Sequence, residues 1–377
     1  MPDEARPVTE IPEPPFRAEH IGSLLRPDRL KAAHKAHAAG TLDDAAFRGE
    51  LEAAMAAAIR MQEEVGLWPV TDGEFRRASW FSAFFEALDG FALAPSRFAF
   101  RDAEGGRFEW QTCRAEAPIR RLRGIATEEY AFVRGHTRRV PKVTMPTPSA
   151  FHFFRLGDCA DAAAYPDLDH FWDDLVAVYR AELAALGDAG CGYVQLDEVP
   201  LAMLCDAGVR EQVRAQGADP DRLVETYVGM IARVLAGRPP GMRVALHLCR
   251  GNFRGRWMAE GGYEPVAEAL FNRVDVDAFL LEFDTPRAGD FAPLRLLPAG
   301  KRAVLGLVST KTPRLEATDA LRRRIDQAAR LVPLDRLGLS PQCGFASVAG
   351  GNPLDEAAQR AKLARVVEVA QAVWGTA

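Results

Sequence analysis

Two rhythms of hydrophobic positions alternate along the chain. Short apolar or β-branched runs occur at Arg17–Ile21, Pro69–Gly73, Val140–Met145, Gly192–Asp197, Arg243–Leu248, Ala278–Phe283, Ala303–Val308 and Leu337–Ser340. Between them lie longer segments with apolar residues at helical spacing, among them Leu42–Val65, Leu168–Ala189, Asp219–Leu235, Tyr263–Asn272 and Thr318–Val332. Strand–helix alternation of this kind implies βαβ units and a parallel sheet. Eight repeats in one chain point to an α/β fold of the (β/α)8 TIM-barrel type rather than an open doubly wound sheet. No G-x-G-x-x-G follows the first strand, which weakens a dinucleotide-binding alternative.

One stretch, about residues 90–139, breaks the rhythm. Phe98-Ala-Phe-Arg and Arg107-Phe-Glu-Trp flank a Glu104-Gly-Gly turn, and alternating residues around Gly-Gly read as a β-hairpin. This insertion belongs in the loop after the second strand, near the barrel mouth, as a structural cover or a substrate lid. The Pro-rich residues 1–15 read as a surface arm, leaving 16–377 as a single barrel domain.

Composition narrows the class without naming it. A chain of 377 residues, 48% hydrophobic and 26% charged, can bury a large core. Its net charge of −5 speaks against a general nucleic-acid binder. Six scattered cysteines argue against a secreted disulfide scaffold and for a reducing compartment. The N-terminus lacks the basic and apolar regions of a signal peptide, and no apolar run is long enough to span a membrane. The cytoplasm is the expected location.

In a (β/α)8 barrel, polar residues at the C-terminal strand ends form the active site. Here those ends carry His247-Leu248-Cys249, then Glu282, then Pro341-Gln342-Cys343. His247 and Cys249, two apart, point to the same side of their strand. Taken singly, His247 is a satisfied core histidine and each cysteine a small buried hydrophobe. Taken together, one imidazole, two thiolates and a carboxylate at neighbouring strand ends form a donor set for zinc. Zinc with two thiolate ligands is a poor activator of water. It is well suited to holding a substrate thiol as thiolate at neutral pH, so S-alkylation of a thiol is the natural reaction and hydrolysis the runner-up.

At these residues the sequence resembles the cobalamin-independent methionine synthase family, in its C-terminal catalytic barrel and its short single-barrel branch. The motifs are His247-Leu-Cys249, Leu281-Glu282, Ser340-Pro-Gln-Cys343-Gly, Ile21-Gly-Ser23, Asp72-Gly-Glu74 and Gln195-Leu-Asp197-Glu198, spread from about Phe16 to Trp374. The resemblance implies Zn2+ on His247, Cys249, Glu282 and Cys343, and homocysteine as the thiol. It places the homocysteine carboxylate on the Ile21, Gly22 and Ser23 backbone and its ammonium between Glu74 and Asp197. Helix capping or ion pairing accounts for Asp72 and Glu198. The implied activity is a methyltransferase of methionine biosynthesis.

Two departures bear on the methyl donor. The family histidine taken as general acid is matched by Lys311 in Lys311-Thr-Pro-Arg314, and the folate-contacting segments are poorly matched by Val143–Ser149 and Val199–Cys205. A methyl-folate, a methyl-corrinoid or another donor therefore stays open. Epoxyalkane:coenzyme M transferase, a carbon–sulfur lyase resembling the same branch, is the second reading. It needs a cationic pocket for a sulfonate, for which Arg76, Arg77, Arg250 and Lys311 are the candidates. A zinc-binding structural barrel is a third. Arg250–Arg256 and Gly350-Gly351-Asn352 read weakly as anion-binding loops.

Overall fold

The computed structural model of the chain describes residues 13–377, so most of the predicted arm, 1–15, lies outside the described residues. In chain order the strands are β1 (Pro69–Val70), β2 (Leu88–Pro95), β3 (Phe100–Arg101), β4 (Arg107–Phe108), β5 (Gln111–Arg121), β6 (Val140–Pro141), β7 (Val143–Pro146), β8 (Tyr193–Asp197), β9 (Arg243–Leu248), β10 (Ala278–Glu282), β11 (Arg302–Val308) and β12 (Leu337–Pro341). A parallel ladder runs from β7 through β8, β9, β10 and β11 to β12. β1 pairs in parallel with β6, which continues into β7 through Lys142.

Closure falls to the segment predicted as the first strand, 17–21. It is shorter than expected, a parallel bridge at Ala18 to Leu339. Glu19 N–H donates to Leu339 O at 2.9 Å and Leu339 N–H to Arg17 O at 2.8 Å. On its other side Leu24 N–H donates to Gly73 O at 3.0 Å, joining it to the segment after β1. Eight strand positions thus complete the (β/α)8 barrel.

Strand alternation decides what faces inward. Tyr193, Ala245, Ala278, Leu280 and Val304 form one small buried cluster with Phe16 and Ile21. Their neighbours Val194, Leu246, Phe279 and Leu305 belong to the large core shared with the helices. By the two-residue period, Asp197, His247, Cys249 and Glu282 continue the inward rows toward the C-terminal ends.

The predicted helices appear as Asp44–Glu64, Leu168–Asp188, Pro220–Leu235, Glu264–Arg273 and Thr318–Ala329. Asp43, Asp167 and Asp219 cap the first three, each side chain accepting a backbone N–H of the first turn. Helices Asp28–Ala38, Thr127–His136 and Glu356–Trp374 complete the shell.

The hairpin follows the second barrel strand, as its turn residues implied. β2 and β5 pair antiparallel from Leu88↔Arg121 to Pro95↔Gln111, and β3 and β4 extend them with Phe100 opposite Phe108. Asp102 closes the tip by accepting Gly106 N–H at 2.7 Å. Arg101 and Trp257 exchange backbone hydrogen bonds at 2.6 and 3.1 Å, which ties the tip to the loop after β9. The ladder ends at Arg121, and Thr127–His136 is already a barrel helix.

Candidate active site

His247 ends the inward row of β9, opposite Asp197 on β8 and Leu280 on β10. Its Nδ1 lies 3.1 Å from Leu280 O. A carbonyl only accepts, so Nδ1 carries a proton and in the neutral ring Nε2 holds the lone pair. Nε2 is buried with no hydrogen-bond partner. Cys343, on the loop after β12, brings its sulfur to 3.6 Å from that of Cys249. The donor atoms of His247, Cys249 and Cys343 all lie within 4.8 Å of one another, and the three residues are buried. The hydrogen bond from Cys249 is the main reason the Cys343 thiol is held well below its usual range, with His247 adding to it against burial. An orphaned imidazole nitrogen beside two converging sulfurs fits a metal ion, the backbone carbonyl holding the ring in the ligating tautomer.

Glu282 does not join this group of three. Its carboxylate accepts Arg250 N–H at 2.7 Å, Arg287 at 2.9 Å and Lys311 Nζ at 3.2 Å. Burial opposes its charge, but Lys311, Arg250 and Arg287 outweigh it and hold the carboxyl at about 2. Lys311 also donates to Asp284 at 3.2 Å. Burial disfavours the Lys311 charge, yet Glu282 and Asp284 overcome this and raise its pKa. It is a fixed cation.

The predicted carboxylates converge on the same cavity. Glu74 accepts the Thr144 hydroxyl at 2.7 Å, and Asp197 accepts Gln195 Nε2 at 2.7 Å. Gln195 Nε2 also donates to Ile21 O at 2.7 Å, binding the first turn to β8. Burial pushes Asp197 up to about 7 against His247, and raises Glu74 against Arg77. Gly22 sits at φ +128°, where a Cβ would lie 2.7 Å from Thr144 Cγ2 and 2.9 Å from Glu74 Oε1. Only glycine lets this turn back so closely onto Glu74. Ile21, Ser23, Glu74, Asp197 and the His–Cys–Cys group all line one cavity of about 300 Å3.

Asp72 and Glu198 are buried and cap no helix; each accepts a nearby backbone N–H, and Asp72 also pairs with Arg76 as the ion-pair reading expected. Asp72 accepts Glu74 N–H at 2.8 Å and Glu198 accepts Leu201 N–H at 2.7 Å. Burial pushes each up to about 7.

None of the four candidate cations lines the cavity. Arg76 faces Asp72 at 3.7 Å, and Arg77 pairs with Glu129 and Glu74. Arg250 is spent on the carbonyls of Gly261, Glu282 and Ala288. The segment 250–256 opens no helix, contrary to its anion-loop reading, and Asn352 straps Thr310 and Gly255 together.

Sequence reasoning missed Thr144 and named Arg77 as a cation of the pocket rather than as a partner of Glu74, because long-range side-chain partners leave no local pattern. It also left unassigned the rings of Trp80, Phe81, Phe100, Trp110 and Phe253 on the cavity wall. Phe100 and Trp110 were legible as hairpin residues; what they face was not.

With this geometry in hand, the comparisons with known proteins are specific. "Uncharacterized protein YxjH" of Bacillus subtilis is 39% identical over 369 residues, covering 96% of this chain and 95% of that protein. A methionine synthase of Pyrococcus abyssi is 27% identical over 327 residues, covering 86% and 85%. A crystal structure from Listeria monocytogenes, provisionally assigned as a vitamin-B12-independent methionine synthase, superposes with a TM-score of 0.74 at 30% identity, covering 97% and 99%. The family model described as the catalytic domain of cobalamin-independent synthase matches residues 16–372, and the chain therefore belongs to that family.

Proposed function

We propose that the chain is a zinc-dependent methyltransferase that methylates the sulfur of homocysteine to give methionine. The observation that carries this reading is the opening of the His247–Cys249–Cys343 group onto the cavity that also holds Glu74 and Asp197. Zinc held there would lower the pKa of a substrate thiol and keep it as a nucleophilic thiolate. Glu282 is the fourth candidate ligand. Its Oε1 is occupied by Lys311 and Arg287 and its Oε2 by the Arg250 N–H, and three other protein ligands would leave a position for the thiol.

The remaining steps belong to the chain itself. Glu74 and Asp197 receive the substrate ammonium, an arrangement in which charge-assisted hydrogen bonds gain strength from burial. The cation also returns both burial-raised carboxyls to the ionised form. The Ile21-Gly22-Ser23 turn offers backbone N–H groups to the carboxylate. The buried floor of the site limits access of water to the thiolate.

A sulfonate-bearing thiol lacks the cationic wall it would need, so coenzyme M and epoxide opening are not the favoured chemistry. The test is proton release from the zinc-loaded protein. Homocysteine is expected to displace one proton per site and coenzyme M none. Release by coenzyme M alone would overturn the assignment.

A further inference from the structure

One arc of the cavity wall is given no role by the thiol reading above. Trp80, Phe81, Trp110, Phe100 and Phe253 follow one another with ring centroids 5.5, 5.9, 5.8 and 5.1 Å apart. All five line the cavity that holds His247, Cys249 and Cys343. Trp110 spends its indole N–H on Phe98 O at 2.9 Å, leaving carbon surface for the cavity. Glu109, beside it, lines the same wall. With Glu74 and Asp197 that makes three carboxylates, and among the described residues no lysine or arginine lines the cavity.

Aromatic faces carry negative quadrupole charge and attract cations, most effectively alkylated ones that need no hydrogen-bond acceptor. A carboxylate at the rim adds long-range attraction of the same sign. We infer that this arc binds the methyl donor as a methylsulfonium cation. The inference rests on the thiol-methylation reading above and supplies its missing half. A lone pair of the homocysteine thiolate forms the new sulfur–carbon bond to the methyl group as the bond from methyl to the donor sulfur breaks. That bonding pair stays on the donor sulfur, a neutral dialkyl sulfide leaves, and the single proton released is the one lost when the thiol ionised. No acid is required. This agrees with Lys311, which stands where the family pattern has a histidine but is held by Glu282 and Asp284 and does not line the cavity.

The test separates donor site from thiol site. Choline, an inert onium, and its uncharged isostere 3,3-dimethylbutan-1-ol are titrated calorimetrically against the zinc-loaded protein. Choline is expected to bind about ten-fold tighter, and Trp110→Leu to erase most of that preference. Glu109→Gln, a rim change that spares the fold, is expected to weaken choline about three-fold and leave the alcohol unchanged. Trimethylsulfonium with homocysteine should then give methionine and dimethyl sulfide in equal amounts. Equal affinity for choline and the alcohol overturns the inference. So does absence of dimethyl sulfide while homocysteine still displaces its proton. If homocysteine displaces no proton yet choline keeps its preference, the onium site stands and the thiol assignment falls.

Discussion

At the scale of single residues, the two sulfurs and Glu282 are not equivalent. Cys249 and Cys343 face each other at 3.6 Å with His247 completing the group, whereas Glu282 is held by Lys311, Arg287 and the Arg250 backbone. On the proposed reading each sulfur is a ligand, so Cys249→Ser or Cys343→Ser should abolish stoichiometric zinc, measured by metal analysis after gel filtration. Glu282→Gln should retain zinc with affinity reduced about 10–100-fold, the size expected of a supporting partner. Loss of zinc in Glu282→Gln equal to that in the cysteine variants would make the carboxylate an indispensable ligand. Gly22→Ala tests the other half of the site. Its methyl group would meet Thr144 Cγ2 and Glu74 Oε1 under 3 Å in a backbone region that suits glycine. A loss of about 1–3 kcal/mol in stability is expected, together with a raised KM for the thiol and a smaller change in kcat. The grouping of His247, Cys249 and Cys343 was readable because donor residue types survive in short motifs. Thr144 and the pairing of Arg77 with Glu74 were not, since their importance lies in which distant groups they reach.

At the scale of elements, periodicity gave the barrel's strands and most helices, with revealing misfits. The predicted strand 17–21 is a single bridge, and the predicted run Val140–Met145 is split into β6 and β7 at Lys142. A lysine inside a strand reads as an exposed position, yet Lys142 is fully buried. Its ammonium bonds Glu19 and Gln195 at 3.1 Å each and also donates to His20 O, while Tyr193 donates to Glu19 at 2.6 Å. This network ties the short first segment to the third and fourth strand positions from inside the barrel. Removing the cation strands a buried carboxylate, so Lys142→Ala should cost about 3–5 kcal/mol by denaturant unfolding. Adding Glu19→Gln should recover part of that loss. If the single variant unfolds like the parent, the pair is not what holds the closing segment. The hairpin was visible in its Gly-Gly turn and alternating residues. Its exchange of hydrogen bonds with Trp257, which sets its rings on the cavity, is a tertiary contact that no local pattern encodes.

At the scale of the whole molecule, the barrel concentrates buried acid at its functional end, and this sets how stability follows pH. Burial, reinforced by Glu129, pushes Asp72 up to about 7 from an unfolded value near 4. A carboxyl raised on folding binds its proton more tightly in the native state. Its contribution is therefore most favourable below about pH 4 and is lost as pH rises through about 7, the reverse of a salt-bridged acid. Asp72→Asn keeps an oxygen to accept the Glu74 N–H and removes the ionisation. The variant should be more stable than the parent by on the order of 1–2 kcal/mol at pH 8, with the difference shrinking steadily toward pH 4. Thermal unfolding of both proteins across that range reads the slope directly. A constant difference would mean that Asp72 stays charged in the folded chain, its neighbours Arg76 and Arg77 overcoming burial. Asp197 and Glu198 are raised in the same way and line or adjoin the same end of the barrel. A substrate ammonium delivered to Glu74 and Asp197 would offset part of that penalty, so thiol amino acid should raise the thermal midpoint more at pH 8 than at pH 5.5.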